Sequence, residues 1–155
     1  MSYSTIVAGV ADLDVDTTVL ERACAEAKVH DATLLLVAGF DPVSARDRAR
    51  TATEAAPALR FHETPLSEAE AYDVVERARD RASAAGVAVV QGVVVEGRAV
   101  PALTLVALET QADLIVVGAQ GTTTFAGRLF GAASVQVLRK SQCDVLVVAG
   151  PGAAA

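Results

Sequence analysis

Leu114-Ile115-Val116-Val117-Gly118-Ala119-Gln120-Gly121, with Gly131-Ala132-Ala133-Ser134 following ten residues after Gly121, decides how the rest of the chain is read. Leu114 to Val117 is apolar at every position, which predicts a strand buried on both faces, as in a parallel sheet covered by helices. The run passes straight into glycine, which tolerates the positive φ and close backbone approach of a phosphate-cradling turn. Gly131 then precedes Ala132 to Lys140, a stretch that reads as a helix. Strand, glycine-bearing loop and helix start aim several backbone N–H groups and the positive end of a helix dipole at one point. The expected occupant is an anion. One glycine here would signify only a loop, but three on a strand-to-helix crossing favour a ligand.

Working outward, Ser4 to Val10 predicts a first strand, closed by a turn from Ala11 and Asp12 through Asp16. Thr18-x-x-Glu21 matches a capping box, opening a helix from about Thr17 to Lys28 with a stripe of Val19, Leu20, Ala23 and Ala27. Ala32 to Phe40 predicts a second strand, and strand, helix, strand at these lengths is a βαβ unit with a right-handed crossover. Asp41-Pro42 pairs a capping residue with proline at the first helical position, so a short helix through Arg50 is expected. Arg46, Arg48 and Arg50 give that segment a solvated face, with a lid over bound phosphate as the alternative. Pro65 starts a helix to about Ala85, packing through Ala69, Tyr72, Val75, Ala78 and Ala82. Val87 to Val95 is a third strand; Val100 to Thr110 is a helix with Pro101 in its first turn and Leu103, Val106 and Ala107 facing inward. Asp113 to Val117 is the fourth strand and Asp144 to Ala149 the fifth. Five strands alternating with helices make a doubly wound parallel α/β sheet, one domain over residues 1–150 with a frayed tail at 151–155.

Composition narrows the partners. At 155 residues the chain suits a single core. Hydrophobic residues are 52%, yet no apolar run approaches the roughly 18 residues that span a bilayer. The N-terminus has no basic region before its apolar stretch, unlike a secretory signal, so the cytoplasm is the expected location. Thirteen Lys plus Arg against 19 Asp plus Glu leave a net charge of −6, a poor field for a phosphate polymer, so nucleic acid is not an expected partner, and without a spanning run neither is a membrane. Cys24 sits at helical spacing among apolar residues and Cys143 stands alone, so neither metal nor redox chemistry is expected. His30 and His62 read as isolated, solvated loop residues.

The loop and its flanks resemble the universal stress protein family. Gly118-x-x-Gly121, nine residues, then Gly131 is similar to that family's nucleotide loop, and Ala112 to Gly118, Ala126 to Leu129, Val135 to Arg139 and Asp144 to Val148 match its flanks. The resemblance covers about Ser4 to Ala149 and implies strand order 3-2-1-4-5. In that order ligands bind outside the carboxyl ends of the first and fourth strands, where the order reverses. It further implies phosphates across Gly121, Gly131, Ala132, Ala133 and Ser134, ribose by Val117 and Gly118, and adenine between Val10, Ala11 or Asp12 and Ala38. Gln120 belongs to the loop, and Arg128 reads either as a cation that neutralises phosphate charge or as a solvated loop arginine.

Two positions depart from the pattern. The family places Ser or Thr directly after its last glycine, where this chain has Ala132, and Asp after its first strand, where this chain has Ala11 with Asp12 one residue later. One lost neutral hydrogen bond weakens binding by about 1 kcal/mol, up to roughly tenfold in affinity. Backbone donors survive both changes. The expected ligand is therefore an adenine nucleotide, AMP or cyclic AMP before ATP, with Mg2+ only alongside ATP.

Enzymatic chemistry finds little support. There is no Gly-Lys-Ser/Thr P-loop and no Ser/His/Asp arrangement, and Ala149-Gly150-Pro151 lacks the lysine that a phosphorylatable receiver domain needs. Thr122, Thr123 and Thr124 serve the loop backbone and water, with modification as the alternative. The fifth strand, apolar on both faces at Val145, Leu146, Val147 and Val148, is an edge in the implied order and invites a two-fold homodimer. Three readings follow: a dimeric nucleotide-binding sensor in the stress response, a ligand-free interaction module of the same fold, or a slow ATPase or self-phosphorylating protein.

Overall fold

A computed structural model describes residues 2–13, 17–42, 66–119 and 132–149. The elements run β1 (Thr5–Gly9), α1 (Thr18–His30), β2 (Thr33–Phe40), α2 (Glu68–Ala84), β3 (Val89–Glu96), α3 (Ala99–Glu109), β4 (Leu114–Gly118), α4 (Ala132–Lys140) and β5 (Asp144–Val148). The five strands form one sheet in the order β3-β2-β1-β4-β5, and every neighbouring pair is parallel. The doubly wound α/β fold and its strand order are as expected.

Alternation along the inner strands divides the interior into two layers. Ile6, Ala8, Leu34, Leu36, Ala38, Leu114 and Val116 pack with α1 and α2. Val7, Leu35, Val37, Ile115 and Val117 pack with α3 and with Val137 of α4. Central strands of a covered parallel sheet need both sets apolar, which is why Leu114 to Val117 is buried throughout. The outer strand β5 is exposed at Asp144 and half-buried from Val145 to Val148.

Several local expectations are corrected. The residue preceding α1 is Thr17, which makes no side-chain cap; its φ of −107° and ψ of 2° are not the extended capping geometry. Its hydroxyl donates instead to Glu21 Oε1 at 2.9 Å, so no capping box forms at Thr18. The box lies on α2: Ser67 accepts from Glu70 N at 3.2 Å, and Glu70 accepts from Ser67 N at 2.6 Å. That helix therefore starts at Glu68, three residues past Pro65. Its buried stripe is Ala71, Val74, Val75, Ala78 and Ala82. Tyr72 is 54% exposed and Ala69 is also exposed, because one residue turns the helix by about 100° and carries Tyr72 off that stripe. His30 is not in a loop. It ends α1, its ring meets Tyr3 edge-on at 4.8 Å between centroids, and its Nε2 lies 3.6 Å from Glu26. The expected helix after Pro42, His62 and the tail lie outside the described residues.

The amino end of the sheet is tied by side chains. Asp113 accepts from Ser4 N at 2.7 Å and Thr5 N at 2.9 Å, fixing the start of β4 to β1. Tyr3 donates to Asp144 at 2.9 Å, linking the chain before β1 to β5.

Candidate functional site at the carboxyl end of the sheet

The register of the central strands shows where the sheet opens. The ladder between β1 and β4 pairs Ile6 with Leu114, Val7 with Ile115 and Ala8 with Val116, and pairs nothing beyond. Past that point each chain keeps to its outer neighbour. Val10 N donates to Val37 O at 2.9 Å, holding the exit of β1 on β2, and Ala119 N donates to Val148 O at 2.8 Å, holding the exit of β4 on β5. The two exits therefore part where strand order reverses, the place at which open α/β sheets take ligands.

The predicted residues lie relative to these two exits as follows. Val10 is 8% exposed, and Ala11 and Asp12 are exposed beside it, on the β1 wall. Val117 is 6% exposed and Gly118 half-buried, on the β4 wall. Ala38, one residue beyond the Gly9–Val37 register pair, is 1% exposed and sits in the same layer as Val10 and Leu13. Parallel pairing of β4 and β5 requires α4 to run back against the strands, so its first turn, Ala132 to Ser134, lies at this same end. The first turn of a helix has N–H groups without partners inside the helix. Ser134 is fully buried there. Gln120, Gly121, Thr122 to Thr124, Arg128 and Gly131 lie outside the described residues.

Three features of this end were not anticipated. A Cβ on Gly39 would stand 2.4 Å from the Gly97 carbonyl oxygen, and Gly97 N donates to Phe40 O at 2.8 Å, so the exits of β2 and β3 touch through backbone. Gly97 has a φ of +127°, which glycine adopts without strain. Asp41 N donates to Leu66 O at 2.9 Å, returning the chain to the end of β2 before α2 begins. A Cβ on Gly9 would meet Leu103 Cδ1 at 3.1 Å, so the bare backbone there lets α3 seat closely. The glycines were the available signal; the partners they accommodate are remote in sequence.

Charge at this end is more acidic than basic among the described residues: Asp12, Asp41, Glu68, Glu70 and Glu96 against Arg98. An anion held here depends on oriented backbone N–H groups rather than on a cluster of described cations. Burial pushes the Cys24 thiol up, and burial with Asp144 and Asp113 pushes Cys143 up, so both thiols are poorer nucleophiles than usual. The hydrogen bond to Asp144 raises Tyr3. Among the described residues no group of three His, Cys, Asp or Glu gathers as metal ligands, and no helix is long and apolar enough to cross a membrane.

Comparison with known proteins agrees with this architecture. The family model described as the universal stress protein family matches residues 2–149. Universal stress protein Rv1636 of Mycobacterium tuberculosis is 33% identical over 148 residues, spanning 95% of this chain and 97% of that protein. A crystal structure of a universal stress protein in complex with cAMP is 31% identical, covers 96% of this chain and 98% of that one, and superposes with a TM-score of 0.69. The universal stress protein from Archaeoglobus fulgidus in complex with dAMP is 18% identical over 95% of this chain and 98% of that one, with a TM-score of 0.64; at that identity the likeness is one of fold.

Proposed function

The chain belongs to the universal stress protein family, and from that premise we propose that it binds an adenine nucleotide in the crevice between β1 and β4. The observation that supports this is the divergence of the two strand exits after Ala8 and Val116, with the first turn of α4 at the same end. Phosphate rests on the backbone N–H groups of Gly121, Gly131, Ala132, Ala133 and Ser134, ribose lies by Val117 and Gly118, and the base sits by Val10, Ala11, Asp12 and Ala38. Gln120 and Arg128 complete the loop side. The solved relative with cAMP, at 31% identity, supports the choice of ligand class. Cyclic AMP or AMP is preferred over ATP, because Ala132 removes a hydroxyl from the position following Gly131. The protein acts in the cytoplasm as a stress-responsive sensor and dimerises through Val145 to Val148 of β5, the short half-buried edge of the sheet.

Thermal unfolding with ATP, AMP and cyclic AMP, beside an assay for released phosphate, tests the reading. A shift without turnover is the expected result, and Gly131→Leu is expected to remove it. Loss of the shift only in that variant locates the ligand on the loop; an undiminished shift moves it elsewhere. The absence of any shift would favour the ligand-free module of the same fold, a reading to which Ala132 and the full burial of Ser134 lend weight. Phosphate release would favour an ATPase.

A further inference from the structure

α3 is unusual in what it shows to solvent. Of its eleven residues, AVPALTLVALE, only Glu109 is charged. Val100, Ala102, Leu103, Val106 and Ala107 fill its inner face. The outer face is apolar too: Leu105 is 44% exposed and Leu108 61%. Thr104 adds little polarity beside them, because its hydroxyl donates back to its own helix, to Val100 O at 3.0 Å and Pro101 O at 3.2 Å. On the neighbouring α4, Leu138 is 47% exposed. Between the two helices runs a groove of 660 Å³ whose lining includes Pro101, Leu105, Leu108, Lys140 and Cys143. Adjacent exposed leucines rimmed by charge mark an interaction surface.

Shape and charge together select the occupant. The patch holds both a ridge, Leu105 and Leu108, and the groove beside it. A two-fold interface is self-complementary, so the Leu105 and Leu108 ridge of one copy must meet α4 of the other. α3 and α4 both run against the strands, so both end at the amino side of the sheet, α3 in Glu109 and α4 in Arg139 and Lys140. No ion pair among the described residues engages these three side chains. A two-fold axis along the groove would lay α3 of one copy over α4 of the other with their carboxyl ends together. Glu109 of each copy then meets Arg139 and Lys140 of the other, reciprocally.

We propose that the α3–α4 face is a self-association surface, separate from the β5 edge, on which a second copy of this chain docks about that axis. The proposal does not depend on nucleotide binding. The leucines form its desolvated centre and the terminal charges set its direction.

Sedimentation velocity across a concentration series tests it, on the full chain without nucleotide. Leu108→Glu is expected to weaken association about tenfold or more and to halve the limiting mass, from four chains to two if β5 also pairs and from two to one if it does not. Glu109→Lys and Lys140→Glu should each weaken association alone, while the double variant recovers it. Position 108 is exposed, so circular dichroism and the urea midpoint should stay at wild-type values; the charge exchange keeps the test open should Leu108→Glu fail to fold. A wild-type protein that remains monomeric, an unchanged mass in Leu108→Glu, or a double variant as weak as its parents would overturn the proposal. Loss of the nucleotide-induced thermal shift would bear on the β1–β4 crevice alone.

Discussion

Gly39 has no side chain at a point where the exits of β2 and β3 leave no room for one. The Gly97 carbonyl, 2.4 Å from where a Cβ would stand, is backbone and cannot rotate away. Gly39→Ala is therefore expected to destabilise the fold by about 1–3 kcal/mol, the range for overpacking, read as a lower urea midpoint at unchanged slope. It also displaces Ala38, so any nucleotide affinity should fall with it. Ala132 is the opposite case, a position where adding an atom should help. Ala132→Ser returns a hydroxyl to the start of α4, and calorimetric titration should show up to about tenfold tighter ATP binding, the value of one recovered neutral hydrogen bond. An affinity unchanged by the serine would mean that phosphate does not lie at the head of α4. Both predictions turn on single atoms, and they differ in legibility. Ala132 stood out because it breaks a pattern at a fixed distance from Gly131. Gly39 gave no such signal, because what it avoids is a carbonyl 58 residues away in sequence.

Helix starts show how much an element discloses of itself. The bounds of α4 and the burial of Leu114 to Val117 were readable, the latter because a stretch buried on both faces admits almost nothing polar, though β4 itself runs one residue later than expected, Leu114–Gly118. The start of α2 was not. Pro65 fits a first helical position, but the competing signal Ser67-x-x-Glu70 prevails because it satisfies two backbone donors through two side chains. At α1 the same kind of motif misleads, since Thr17 spends its hydroxyl on the Glu21 carboxylate. A contrast follows that thermal or urea unfolding can measure. Ser67→Ala is expected to cost about 1 kcal/mol, the usual value of a capping side chain. Thr17→Ala removes one exposed side-chain bond and should cost no more than a few tenths of that, in line with weak exposed polar pairs. Equal losses would mean that Thr17 caps α1 in solution in a geometry other than the one observed.

Across the whole molecule, the sheet order is what sequence pattern alone could not supply. Alternating strands and helices predict a parallel sheet, but nothing local to Thr5–Gly9 says that it pairs β2 on one side and β4 on the other. That came from likeness to a family, and with it came the proposed place for a ligand, since two strands must be neighbours before their exits can part. Because β1 and β4 contribute to both interior layers, a ligand bridging their exits acts on the sheet that both layers share. Its binding should therefore stabilise the whole domain rather than one loop. At a free nucleotide concentration of about 100 times Kd, linkage gives about 2.7 kcal/mol. For a domain of this size each 1 kcal/mol moves Tm by about 2–4 °C, so the midpoint should rise by about 5–10 °C in a single transition. Calorimetric scans with increasing cyclic AMP check this directly. A shift that follows the logarithm of ligand concentration, with one cooperative peak, is expected of a ligand held between β1 and β4. A shift confined to a minor early transition would place the ligand on a locally unfolding segment and separate it from the core strands.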